Sequence, residues 1–340
     1  MAIMTVRGPI PAEALGPTLA HEHLLFDLRG LWDAPPPDRA WLIDAEPTLA
    51  SRGDLSRDGY DSRPNLVLDD AEVALDELAR FAATGGSAVV DLTTVGIGPR
   101  PEELRRIAER AGMHVIAGAG FYRARCLGPD TLALSVEEIA ERLECAVRDG
   151  IAGTSVRAGI LGELGTSSPL HPFEERQLVA AARVQRKTGV AINVHPAIWS
   201  HEHLVILDVL EAAGADLTRV VLSHCDELVE PAWHARIAER GAVLSFDTFG
   251  SEAYFDRELA QEPRDTDRIE CLLRLCESGF TSQLVLSQDV CTKLQLHKWG
   301  GTGLDHLGRS VLPRLRHRGL GDREIDQMLI ATPRRLLDVS

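Results

Sequence analysis

The chain has 340 residues, 44% of them hydrophobic and 26% charged, which supplies a sizeable core and excludes a disordered polymer. Its 36 Lys and Arg against 51 Asp and Glu give a net charge of −15, and such a surface repels nucleic-acid phosphates and anionic lipid heads. Neither a nucleic acid nor a membrane is therefore expected as a partner, and a small molecule remains. No apolar run is long enough to cross a bilayer, and no basic start leads into a long apolar stretch. The six cysteines form no CxxC pair and read as reduced thiols, so a cytoplasmic protein is expected.

Short apolar runs alternate with amphipathic stretches along the chain. A first strand is predicted at 18–20, followed by a long connection over 29–65 that carries Trp32, Trp41 and the run Pro35, Pro36 and Pro37. Then come a helix at 70–84, a strand at 87–92, a helix at 101–111 and a strand at 114–119. A helix at 136–148 leads to a strand at 154–161, a helix at 174–189 to a strand at 190–194, and a helix at 203–214 to a strand at 220–223. The remaining pattern is a helix at 231–241 and strands at 242–246 and 284–287, each of these strands followed by a long connection, 248–267 and 290–308. Eight short, apolar strands separated by helices predict one (β/α)8 TIM barrel over 1–340, with elaborated loops at its C-terminal face. No glycine-rich phosphate loop follows the first strand, which argues against nucleotide binding.

The polar residues at strand ends carry the functional signal. His21 and His23 are two apart, and in a strand that spacing points both imidazoles the same way, where one cation can take both. Glu163 closes the fourth strand, His195 the fifth, His224 the sixth and Asp289 the eighth. Each alone has an ordinary explanation: a hydrogen-bonded core histidine, a helix cap, a carboxylate paired with an arginine. Six such residues on the catalytic rim of one barrel predict a metal site. His201 and His203 repeat the HxH spacing but open a helix, where residues two apart diverge. Cys225 should point away from the ligand before it. His171, His234, His297, His306 and His317 fall in loops or on helices and read as solvated.

The segments TLAHEHLLFDL, GAGFY, RAGILGELGTS, NVHP, LSHCD, SFDTFG and LSQD, in that order, resemble the phosphotriesterase family of the amidohydrolase superfamily over nearly the whole chain. TVRGPIPAEALGPTLAHEHL and KWGGTGLDHL are similar to the phosphotriesterase-related proteins within it. The resemblance implies two divalent metal ions, usually zinc. His21, His23 and Asp289 would hold the buried ion, His195 and His224 the more exposed one, with a carboxylate and a hydroxide bridging them. Gly162 occupies the place of a bridging carboxylated lysine in the organophosphate hydrolases, so Glu163 would bridge instead, and the strand must bulge at Gly162 to aim it inward. Thr248 stands where lactonase members carry an arginine.

The implied activity is hydrolysis of a carboxylic amide, ester or lactone of a small, anionic substrate. Phosphoester hydrolysis and metal-loaded binding without turnover are the alternatives. Two cations sharing a water lower its pKa towards roughly 7. Asp289, aided by His224, is expected to relay the proton, Tyr122 to face the substrate oxygen, and Lys293 to hold the anion. A homodimer is also implied.

Overall fold

A computed structural model describes residues 2–339. Its main sheet has eight parallel strands: β1 (Thr18–Glu22), β2 (Ala88–Asp91), β3 (His114–Ala119), β4 (Ile160–Gly165), β5 (Ile192–His195), β6 (Val220–Leu222), β7 (Val243–Phe246) and β8 (Leu284–Leu286). They pair in sequence order, as right-handed βαβ crossovers require, and the sheet curls until β8 returns to β1. The last seam is not a regular ladder. It is joined by the Asp289 amide donating to the His21 carbonyl at 3.3 Å and the His21 amide donating to Ser287 Oγ at 3.0 Å.

Helices α1 (Ala71–Ala83), α2 (Pro101–Ala111), α3 (Val136–Arg148), α4 (Pro172–Thr188), α5 (His203–Ala212), α6 (Pro231–Glu239) and α7 (Asp265–Glu277) surround the sheet. Local chemistry sets several of their ends. The Asp70 side chain accepts from the Glu72 amide, Ser135 and Glu138 form a reciprocal capping box, and Gly112 and Gly189 end α2 and α4 in the left-handed conformation.

Each strand alternates between two apolar layers. Val90, Ile116, Ile160, Val221, Val243 and Val285 fill the barrel interior, while Val89, Val115, Leu161, Val220, Leu222, Leu244 and Leu284 face the helices. The bottom is plugged by a hairpin, Ala2–Thr5 with Gly8–Pro11, which the sequence reading did not include. Gly8 turns it at φ +107°, and Ile3 reaches the interior cluster fully buried.

The fourth strand differs from expectation. It runs Ile160–Gly165 rather than 154–161, because the apolar stretch before it is spent on a turn in which the Ile151 amide donates to the Val156 carbonyl at 2.8 Å. Pairing with β3 starts only at Ile160.

The three long connections gather at the C-terminal end of the barrel. They are stitched together there: the Tyr254 carbonyl accepts from the Asp58 amide, the Tyr254 amide donates to the Ser56 carbonyl, and Arg52 donates to the carbonyls of Leu294 and Trp299. No helix is long and apolar enough to cross a membrane among the described residues.

Ile3→Ala should leave a hole at the far end of the barrel from this face. The expected loss is about 2–5 kcal/mol of stability, read from urea unfolding. Turnover per folded molecule should stay unchanged, and a change would show that the plug communicates with the rim.

Candidate metal centre

β1 delivers His21 and then, just past its end, His23. Both are buried, and Asp289 approaches them across the seam from the loop after β8. His23 Nε2 lies 3.2 Å and His21 Nε2 3.6 Å from Asp289 Oδ1. Asp289 itself sits at φ +44° and His224, at the end of β6, at φ +55°. Left-handed backbone at non-glycine residues is uncommon and persists only where the surroundings hold it, which is typical of functional rims.

Glu163 reaches the same point through a local break in β4. The pairing of β4 with β5 shifts register between Leu161 and Leu164, and Gly162 sits at φ +137°. A Cβ on Gly162 would run into the carbonyl oxygen of Asn193, so only glycine fits. The bulge expected from the sequence is present, and it turns the Glu163 carboxylate into the centre. Glu163 Oε2 lies 3.1 Å from His21 Nε2, 3.1 Å from His195 Nδ1 and 3.4 Å from His224 Nε2.

These distances sort the side chains into three groups able to surround a cation: His21, His23 and Glu163; Glu163, His195 and His224; and His21, His224 and Asp289. Glu163 belongs to the first two. His21 Nε2 and Asp289 Oδ1 are buried without a hydrogen-bond partner among the described residues, although carboxylates and imidazoles surround them. These two orphaned atoms in a converging cluster fit shared divalent cations, and imidazole with carboxylate is a donor set such ions accept.

The rings are held from behind. Asp247, at the end of β7, accepts from His21 Nδ1 through one oxygen at 2.9 Å and from His224 Nδ1 through the other at 3.0 Å. It also accepts the His224 backbone amide at 2.8 Å. Thr93 Oγ1 lies 2.9 Å from His23 Nδ1, and Ser223 Oγ 3.0 Å from His21 Nδ1. Such partners fix which ring nitrogen faces the cation. Glu22, buried between the two histidines of β1, accepts from Ser287 Oγ and from the amides of Gln288 and Val290, and so fixes the loop that carries Asp289. The sequence reading missed both acids, although Asp247 is a strand-end carboxylate like Asp289.

Burial alone would lower the pKa of His21, but Asp289, Glu163 and Asp247 together raise it well above the usual imidazole value. Burial opposes charge on His224 too, and Asp247, with Glu163 and Asp289, outweighs it. His195 behaves differently: burial brings it down to about 4 despite Glu163, so its ring is neutral and ready to ligate. For Glu163, burial raises the pKa, and the neighbouring His195 and His21 overcome that and hold it well below the usual carboxylate range.

The Tyr122 hydroxyl lies 3.4 Å from His195 Nε2, in the wall of a cavity of about 620 Å³ above the centre. The Lys293 ammonium is 2.9 Å from Glu46 of the first long connection and packs near the Trp299 ring, and Lys293 does not line the cavity. Lys293 is therefore withdrawn as the anion-holding residue, because Glu46 already neutralises it. His234 is also not solvated: it is buried in contact with Cys271, and His203 is buried as well.

The chain matches the model of the phosphotriesterase family over residues 1–337. It belongs to that family. It is a metal-dependent hydrolase. N-acetyltaurine hydrolase of Xenopus tropicalis is 34% identical over 339 residues, covering 98% of this chain and 97% of the relative. The crystal structure of a resiniferatoxin-binding protein from Rhodobacter sphaeroides is 38% identical, with a TM-score of 0.97 over 100% of this chain and 96% of that one. The phosphotriesterase homology protein of Escherichia coli, solved with phosphate in its active site, is 27% identical, with a TM-score of 0.80 over 96% of this chain and 99% of that one.

Asp247→Asn removes the charge that orients two rings at once, and cation affinity should fall by roughly 10–100-fold, measured by competition with a chromophoric chelator. Because the pKa values of His21 and His224 are raised, their protonated forms persist to higher pH than those of free imidazole. Acidification should therefore release cations early, and a chelator should strip the protein faster at about pH 6 than at about pH 8. Stripping that ignores pH would contradict the assignment of imidazoles as ligands.

Proposed function

We propose that this chain hydrolyses the amide bond of a small N-acylated anion at a binuclear centre, with zinc as the native metal. The observation that carries the reading is the single carboxylate of Glu163 shared between two histidine groups. The family match and the amide-hydrolase name of the Xenopus relative support the bond type. Four imidazoles with carboxylates suit zinc.

In this reading His21, His23 and Asp289 would hold one cation and His195 and His224 the other, with Glu163 shared between them. Two bound dications acidify water and polarise the oxygen of the scissile bond. The remaining work belongs to the chain. Asp289 accepts the proton of the attacking water and passes it to the leaving amine, with His224 beside it at 3.8 Å. Tyr122 donates its hydroxyl to the substrate carbonyl. Burial holds the Tyr122 pKa well above its ordinary value, with the Glu163 charge adding to the shift, so the hydroxyl stays protonated as a donor. Leu28, Leu55, Trp199 and Phe255 in the cavity wall exclude water around the reacting bond. Six free cysteines suit a reducing, cytoplasmic setting.

Phosphoester hydrolysis is a second reading, favoured by the phosphate held in the active site of the Escherichia coli homologue. A panel of N-acyl amino acids, N-acyl amino sulfonates, lactones and phosphoesters, offered to the zinc-reconstituted protein, separates the two. Amide turnover that is lost on chelation and restored by zinc is the expected result. Turnover of phosphoesters alone would replace it, and tight binding of an amide without turnover would make the protein a receptor.

Asp289→Asn should retain part of the metal and cut turnover by about 10²–10⁴-fold. Glu163→Gln should instead lose the paired cations, seen as metal content falling below that of the parent protein. Equal metal content in the two variants would refute the division of labour.

A further inference from the structure

The cavity wall contains four arginines, and three of them are committed to the protein. Arg52 donates to the carbonyls of Leu294 and Trp299, Arg125 to Asp33, and Arg257 pairs with Asp61. Arg123 is different. Among the described residues its guanidinium makes no hydrogen bond and no ion pair, and its Nε is buried without an acceptor. Burial of a guanidinium donor without a partner is unfavourable, and the usual explanation in a cavity wall is a ligand that supplies the acceptor.

The backbone that carries Arg123 is fixed. The amides on either side of it bond to Val95 O at 2.8 Å and to Glu174 Oε1 at 2.9 Å, and Gly165 of β4 packs so closely on the Arg123 amide that no side chain fits there. Its chain neighbour Tyr122 stacks edge-on against His195, with ring centroids 4.9 Å apart. Arg123 therefore stands next to the metal groups, about one residue spacing from the tyrosine at the reacting bond. Several acidic side chains in the same wall are engaged elsewhere: Glu227 with Arg268, Thr248 and Trp199, Glu262 with Ser251 and the Ala253 amide, and Asp33 with Arg125, and no carboxylate of the wall pairs with Arg123 among the described residues. In a chain of net charge −15, this is a cation at the reaction centre left uncancelled by a direct partner.

We propose that Arg123 receives the anionic group of the substrate, a carboxylate or sulfonate a few bonds from the scissile amide, and so selects N-acylated amino acids and amino sulfonates over neutral amides. The planar fork of a guanidinium matches two oxygens of either group. The assignment rests on the hydrolase reading above, and it passes to Arg123 the role that Glu46 denies to Lys293.

Arg123→Ala and Arg123→Lys are compared with the parent zinc-loaded enzyme on N-acetyltaurine, N-acetyl-β-alanine and the neutral N-acetylpropylamine. For Arg123→Ala the KM of both anions should rise about 10- to 100-fold, while kcat/KM for the neutral amide and the metal content stay within about twofold. Arg123→Lys should recover part of the loss, since it restores charge without the fork. A rise for only one of the two anions would identify which oxyanion the site takes. A parallel loss on charged and neutral substrates, or no change on either, would overturn the proposal. If the parent enzyme turns over none of the three, the hydrolase reading fails separately. Calorimetric Kd values of N-acetyltaurine for parent and Arg123→Ala then decide the arginine's role, equal values refuting it.

Discussion

Everything at the rim depends on where one carboxylate can be put. Glu163 faces His21, His195 and His224 within 3.4 Å, and in a regular strand its side chain would point away from them. The break at Gly162 solves this locally, because a residue without Cβ can pass under the Asn193 carbonyl and shift the register by the step needed. A buried anion is costly unless compensated, and here the imidazoles around it contribute that compensation. Divalent cations would provide more. The same crowding explains why His21 and His224 are drawn towards their charged forms while His195 remains neutral.

A second layer makes the arrangement rigid. Asp247 ties β1 to β6 through two rings, and Glu22 ties β1 to the loop after β8 through three donors. Asp226 extends the set by accepting the amides of Asp247 and Thr248 while facing the fully buried Arg268. Polar groups this deep specify one geometry because each has a limited set of partners that satisfy it. The rim is preorganised by hydrogen bonds that run between strands, whereas the strands below it are held mainly by apolar packing.

Much of this was legible in the sequence because barrels separate stability from chemistry along each strand. Apolar periodicity located the eight strands, and the polar residue that ended each apolar run marked the rim, so His21, His23, Glu163, His195, His224 and Asp289 could be grouped before any coordinates. The six do converge. What stayed hidden was contact between distant loops. Lys293 reads as a free cation on a substrate loop, and nothing local reveals that Glu46, 247 residues away, takes it. The boundary of the fourth strand was misplaced for a related reason: the stretch after Ile151 has strand-like composition but closes on itself in a turn. Arg123 was unremarkable in sequence, since its distinguishing property is the absence of a side-chain partner among the described residues.

The irregular seam between β1 and β8 has a consequence for the life of the polypeptide. The candidate ligands on either side of it come from opposite ends of the chain, with His21 and His23 near the start and Asp289 near the finish. A chain emerging from the ribosome displays its two early histidines long before the aspartate exists, and at that stage they can hold an ion only loosely. The three side chains come together only once the circle of strands has shut. A cation held by these side chains would act as a clasp on a belt, joining first strand to last where backbone pairing is sparse. Metal supply would in this way influence how securely the finished barrel stays closed, as well as whether it reacts.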